Sequence, residues 1–216
     1  MSVRTLAVAP GQGSLLDQVD DLGLRPLGRA VTRRVLDHRA WVDVRPGWVT
    51  GSRTLLEHLL DAVPWQAERR RMYDRVVDTP RLLRFYAEHE PLPHPLLVAA
   101  REALDAHYAA EPAAEPFATA GLCLYRDEHD SVAWHGDRIG RGATHDTMVA
   151  IVSVGAPRRL LLRPRGGGAS LTLPVGHGDL VVMGGSCQRT WEHAVPKERH
   201  PTGPRVSIQL RPRGVR

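Results

Sequence analysis

Only two cysteines, Cys123 and Cys187, occur in 216 residues. They are too few for a disulfide framework and lack C-x-x-C spacing, so both read as reduced thiols. No apolar run approaches the roughly 20 residues that a membrane-spanning helix requires. The opening MSVRTLAVAPGQGS has neither a long apolar stretch nor a small-residue cleavage site, so the expectation is a cytoplasmic chain without a membrane partner. Internal repeats and long low-complexity tracts are also missing. Lysine is nearly absent, with Lys197 alone against a wealth of arginine, yet the chain carries a formal charge of +5 and a sequence pI near 9.8. That balance favours an anionic partner such as nucleic acid. The abundance of Ala, Arg, Gly and Pro reads equally as a coding bias, and charge alone leaves both readings open.

What is present fits one well-packed domain of monomeric size. Residues 1–30 mix Gly, Pro and Leu with charge and no sustained period, which reads as a variable N-terminal arm. Residues 31–216 form the domain proper, with helices and a lid over 31–115 and a strand-rich core over 116–216. VTRRVL and AWVDV, before Pro46 and Gly47, predict strands and a turn. In SRTLLEHLLDAV, Leu55, Leu56, Leu59, Leu60 and Val63 recur at helical spacing behind Ser52 as cap, and Pro64 ends the pattern. A second helix is predicted from His94 to about Ala110, with Pro95 in its first turn and Leu96, Leu97, Ala100, Leu104 and His107 on one face. After Pro116 come seven short apolar or alternating runs: TAGLCLY, MVAIVSV, RRLLLRP, SLTLPV, DLVVMG, RTWEHAV and RVSIQLR. Strands downstream of helices predict an α+β chain whose double-stranded β-helix, or jelly roll, is buttressed by N-terminal helices. Gly166–Gly168 reads as the turn of a hairpin, since no Lys-Ser/Thr follows to make a phosphate cradle.

The strongest chemical signal is WHGD. On an extended segment His135 and Asp137 point to one side and Trp134 and Gly136 to the other. WEHAV supplies a later imidazole, His193, on the same face as Trp191. Two imidazoles and a carboxylate on one side of a metal leave other positions open, which suits a non-haem Fe(II) oxygenase, and zinc with a bound water is the other occupant of such a set. His177-Gly178-Asp179 has the same spacing, but before an apolar strand it reads as a turn. On the last strand Arg205, Ser207, Gln209 and Arg211 share one face and Val206, Ile208 and Leu210 the other. Two arginines turned into a small barrel require an anion, and a dicarboxylate matches the guanidinium fork. A polar-out strand with both arginines solvated is the plain alternative.

Taken in order, LYRDEHDSVAWHGD, HGDLVVMGGSCQRTWEHAVPK and PRVSIQLR resemble the AlkB family of nucleic-acid dealkylating dioxygenases. TPRLLRFY, Thr79 to Tyr86, extends the similarity upstream, so that it covers roughly Pro64 to Arg213. The resemblance implies Fe(II) held by His135, Asp137 and His193, with 2-oxoglutarate as co-substrate and O2 as oxidant. It implies Arg205 at the distal carboxylate, with the Tyr125 hydroxyl beside it, and Arg211 near the end that meets the metal. Two family asparagines are replaced, by Cys123 and Ser207, which removes amide hydrogen bonds from the co-substrate network. Ile139 stands where many members carry an acidic residue. Phe85 and Tyr86 lie in the segment that helps form the family's lid, and stacking on a base falls to one of them, while Arg81 and Arg138 are expected at the substrate. Arg69, Arg70, Arg71 and Arg141 are further candidates for phosphate contacts.

The implied reaction is oxidative removal of an N-alkyl lesion from a base in DNA, direct repair of alkylation damage, on a strand that is single or has its base flipped out. RNA is the second nucleic-acid partner to consider. A protein side chain or a small metabolite would keep the chemistry and change the substrate, and a non-enzymatic binding domain on a barrel scaffold would discard it.

Overall fold

In a computed structural model the chain is described over residues 21–72, 75–112, 114–136 and 140–215. The elements run β1 (Gly23–Leu24), β2 (Thr32–Val35), β3 (Ala40–Arg45), β4 (Val49–Thr50), α1 (Ser52–Ala62), β5 (Gln66–Met72), β6 (Arg75–Tyr86), α2 (Pro95–Tyr108) and β7 (Phe117–Tyr125). They continue with β8 (Val132–His135), β9 (Val149–Gly155), β10 (Arg158–Pro164), β11 (Leu171–Val175), β12 (Asp179–Gly185), the single turn α3 (Cys187–Thr190), β13 (Trp191–Val195) and β14 (Arg205–Pro212). All seven apolar runs contain strands, and every strand pairing is antiparallel.

The strands divide into a major sheet ordered β2-β3-β12-β9-β14-β7-β6-β5 and a minor sheet ordered β11-β10-β13-β8. From β7 onward the chain crosses between the sheets at each step except the β10–β11 hairpin, and this alternation is what makes the jelly roll. The period of two along each strand then sorts the core into two layers. Leu122, Leu124, Val152, Val154, Val182, Val206, Ile208 and Leu210 face the helices. Cys123, Tyr125, Val149, Ile151, Val181 and Met183 face the minor sheet, where Leu160, Leu162, Trp191 and Val195 meet them. Arg205, Ser207, Gln209 and Arg211, on the alternate positions of β14, therefore belong to the space between the sheets, as the period of that strand predicts.

Helix α1 packs on β9 and β14 through Leu55 and Leu59, both fully buried, and each such side chain contributes about 2 kcal/mol of apolar transfer. Its cap is Gly51 in the left-handed region (φ 58°), and Ser52 is instead the first helical residue. In α2 the His94 Nδ1 accepts the Leu96 N–H at 3.0 Å, and Pro95 opens the helix. Its buried face is Leu97, Ala100, Leu104 and Tyr108. His107, expected on that face, is exposed, because Tyr108 stacks on Trp41 at 5.9 Å and gives its hydroxyl proton to Asp43 at 3.0 Å. The hairpin β5–β6, which lengthens the major sheet beyond β7, is an element that the apolar pattern does not announce.

Candidate active site

β8 and β13 are neighbours in the minor sheet, and their register sets His135 opposite His193. The two rings lie 4.1 Å apart between centroids, at 55° to one another. The His135 Nδ1–H donates to the Ala133 carbonyl at 2.9 Å, which places the proton on Nδ1 and leaves the Nε2 lone pair for a metal. Burial holds His135 below the usual histidine range. His193 is held well below it, first by burial and then by the neighbouring His135. Both shifts favour the neutral imidazole, the state a metal ligand requires. Among the described residues no set of three metal-ligating side chains closes. Asp137, the expected third ligand, lies outside the described residues, as do Arg138 and Ile139, immediately beyond Gly136.

On the facing sheet Arg205 is 1% exposed. Its Nε donates to Ser153 Oγ at 2.6 Å, its Cζ lies 5.2 Å from the Tyr125 ring centroid, and its Nη1 is buried without a partner. Burial pulls this guanidinium below its usual range. An uncompensated buried charge is costly, and the donor left open asks for an anion. Burial pushes the Tyr125 phenol up to about 12, so it stays protonated and can donate to a carboxylate. A second buried arginine, Arg158, sits 5.5 Å from the same ring and gives its Nη1 and Nη2 protons to the carbonyls of Asp127 and Asp130, with Nε unpartnered. Arg211 donates from Nη2 to Gln209 Oε1 and also has an unpartnered buried Nε. Its guanidinium can lie close against β7 because position 121 is glycine: a Cβ there would stand 2.7 Å from Arg211 Nη1. Arg211 raises the local positive potential at both imidazoles, while Arg205 lies further along the same face of β14, beside Tyr125 and Ser153. A small diacid that presents one carboxylate to Arg205 and the other toward the histidines fits this donor set.

Cys123 and Ser207 are register partners. Gln209 Nε2 donates to Cys123 Sγ and to Ser207 Oγ, each at 3.4 Å. The residues that replace the family's two asparagines thus share one amide, from a glutamine two places along β14. Sequence reasoning missed Ser153 and Arg158. Ser153 carries a faint signal as the one polar residue within the apolar run MVAIVSV, but no local pattern marks Arg158 as buried.

On the substrate side Phe85 is 46% exposed and pairs in register with Gly121, on the same side of the sheet as Cys123. Tyr86 cannot stack on a base: it is 5% exposed and belongs to the helix-side core, since adjacent residues of a strand face opposite ways. Arg81 donates to the Ser131 carbonyl at 3.3 Å, has an unpartnered buried Nε, and its charge reaches both His135 and Tyr125. Arg141 is engaged with Glu115 at 2.8 Å. The side chains of Arg69, Arg70 and Arg71 lie outside what is described. The second HxD pattern is a turn. His177 has φ 47°, Gly178 has φ 89°, and Asp179 accepts the N–H groups of Gly47 and Gly176 at 2.8 and 3.1 Å. A side chain at Gly178 would strike the Val49 carbonyl oxygen at 2.2 Å.

Residues 50–214 match the family model of the 2OG-Fe(II) oxygenase superfamily. The human alpha-ketoglutarate-dependent dioxygenase alkB homolog 3 is 32% identical over 226 residues, covering 91% of this chain and 73% of the relative. The Arabidopsis thaliana DNA oxidative demethylase ALKBH2 is 33% identical over 138 residues, 51% of this chain and 42% of that protein. Among solved structures, OsALKBH1 superposes with a TM-score of 0.57 at 12% identity, covering 84% of this chain and all of that one. An oxidoreductase of the 2OG-Fe(II) oxygenase family from Burkholderia pseudomallei gives 0.55 at 11% identity, over 79% of this chain and 84% of that one.

Proposed function

Because the chain belongs to the 2OG-Fe(II) oxygenase superfamily and, within it, to the AlkB homologues, we propose that it removes N-alkyl lesions oxidatively from nucleic-acid bases, with alkylated DNA as its repair substrate. The observation that carries this reading is the pair of imidazoles 4.1 Å apart on one sheet, with a buried guanidinium on the facing sheet whose Nη1 has no hydrogen-bond partner. Fe(II), 2-oxoglutarate and O2 are the cofactor and co-substrates of the family, and together they supply a two-electron oxidation that yields succinate and carbon dioxide and frees the alkyl carbon as an aldehyde.

The protein's own residues bind, orient and shield. His135 and His193 would hold the metal, with Asp137 as the third ligand that the resemblance implies. Arg205, steadied by Ser153, grips the distal carboxylate, and the Tyr125 hydroxyl donates a second hydrogen bond to it. Arg211 keeps positive potential at the two imidazoles. Water is kept from the co-substrate by Ile151, Leu162 and Trp191, which line the space between the sheets. A base inside a duplex cannot reach this depth, so the target is a single strand or a flipped nucleotide, and the weaker pairing of an alkylated base lowers that cost. Phe85 is an exposed aromatic that can stack on it, with the charge of Arg81 felt at His135 and Arg138 as a phosphate contact.

The test is an assay of purified protein with Fe(II) and 2-oxoglutarate on single-stranded DNA and RNA oligonucleotides carrying N-methylated or etheno bases. Succinate should form in step with loss of the lesion, and His193→Ala should abolish both. Consumption of 2-oxoglutarate without lesion loss on either nucleic acid would reject the substrate while keeping the oxygenase.

A further inference from the structure

β8, which carries His135, is the edge of the minor sheet and only four residues long. It pairs with β13 at His193↔His135 and Val195↔Val132, and the register shifts between those two pairs. A short edge strand with an irregular ladder is weakly specified, and a slip of one residue would turn His135 to the outside. The face opposite the imidazoles holds a side-chain bridge across all three strands. Arg163 of β10 is the register partner of Glu192 of β13 and donates to its Oε2 from Nη2 at 3.0 Å and from Nε at 3.3 Å. The same guanidinium lies with its Cζ 4.1 Å from the ring centroid of Trp134 on β8. Glu192 precedes His193, and Trp134 precedes His135. Leu162, which precedes Arg163, pairs with His193.

We infer that Arg163, held by Glu192 and stacked on Trp134, is a positioning residue for the metal centre: from the outer face it locks the edge strand so that the two imidazoles converge. This rests on the reading of His135 and His193 as metal ligands. The guanidinium suits the task because one rigid plane can fork onto a carboxylate and stack on an indole at once, which a lysine ammonium cannot. Glu192 and Arg163 are partly shielded, with side chains 11% and 32% exposed, so the bridge is less screened than a surface pair.

The experiment is titration of the metal-free full chain with Mn(II), followed by calorimetry, on wild type, Arg163→Ala, Trp134→Ala, Trp134→Phe, the double alanine variant, and Arg159→Ala as an outer-face control on the same strand. Loss of an outer support of this kind typically weakens metal binding by about tenfold or more, and that loss is expected for Arg163→Ala and Trp134→Ala. The double variant should be little worse than either single, because the two act as one unit. Trp134→Phe, which keeps an aromatic face, should restore most of the affinity, and Arg159→Ala should leave it unchanged. The metal-free melting temperatures of Arg163→Ala and Arg159→Ala should be similar, which a merely stabilising role would not give. Folded Arg163→Ala and Trp134→Ala proteins that bind Mn(II) within about twofold of wild type, far short of the usual outer-support effect, would overturn the inference. So would unchanged Mn(II) binding with a raised KM for oligonucleotide, which would make Arg163 a phosphate contact. If Arg163→Ala does not fold, Trp134→Ala against Trp134→Phe decides in the same way. Wild type that binds no Mn(II), or His193→Ala that binds it as tightly as wild type, would remove the ligand assignment, and the positioning role would fall with it.

Discussion

Arg205 shows the tension between folding and binding on a single side chain. A guanidinium that is 1% exposed with one open donor costs the ligand-free protein stability. Replacing it by an apolar side chain of similar length should therefore stabilise the ligand-free protein or leave it unchanged, while removing the anion site. For Arg205→Met the expected outcome in chemical denaturation is a gain of about 0–4 kcal/mol without co-substrate, the range for replacing a buried charge by an apolar group. Binding of 2-oxoglutarate should weaken at least about 30-fold, matching loss of a buried charge-assisted contact, so the stabilisation that the diacid gives wild type should vanish in the variant. A large loss of stability in the ligand-free variant would mean that Arg205 is satisfied within the protein. Gly121 provides the complementary case. Gly121→Ala puts a Cβ 2.7 Å from Arg211 Nη1, so the guanidinium must leave β7, and KM for 2-oxoglutarate should rise with little change in melting temperature. The facing of Arg205 was legible because it follows from the period of two. Ser153 and Arg158 were not, because the partners of a buried arginine are brought from other strands by topology.

At the scale of elements, two HxD patterns of identical spacing had to be told apart. His135 ends an edge strand whose neighbour brings a second imidazole. Asp179 instead closes a turn by accepting two backbone N–H groups. Asp179→Ala should thus destabilise the fold by about 1–3 kcal/mol for the donors it orphans and leave Mn(II) affinity unchanged, whereas His135→Ala should do the reverse. Denaturant midpoints and metal titrations on both variants check this. The apolar strands and α1 were legible because their hydrophobic period is set by the core they face. The β5–β6 hairpin was not: QAERRRM has no alternating apolar face, and the strand shows itself only through its ladder with β6. Which of Phe85 and Tyr86 faces the site was not legible for a related reason. TPRLLRFY offers apolar residues to both faces, and the pairing of Leu82 with Leu124 decides which side meets the helices.

For the whole molecule, the formal charge of +5 acts on two substrates in different ways. On the proposed reading the co-substrate would meet a guanidinium between the sheets, where mobile ions screen poorly, while a nucleic-acid strand would meet exposed arginines whose attraction depends on counterion release. Raising salt should therefore separate the two affinities. If three phosphates are contacted, the logarithm of oligonucleotide affinity should fall with the logarithm of salt at a slope of about −2, from about −0.7 per phosphate for a single strand. The KM for 2-oxoglutarate should move much less over the same range. Equal salt dependence of both would place the diacid in an exposed site and contradict the burial of Arg205. A flat oligonucleotide profile with intact 2-oxoglutarate turnover would point to an uncharged substrate, and the arginine richness would then be composition rather than function.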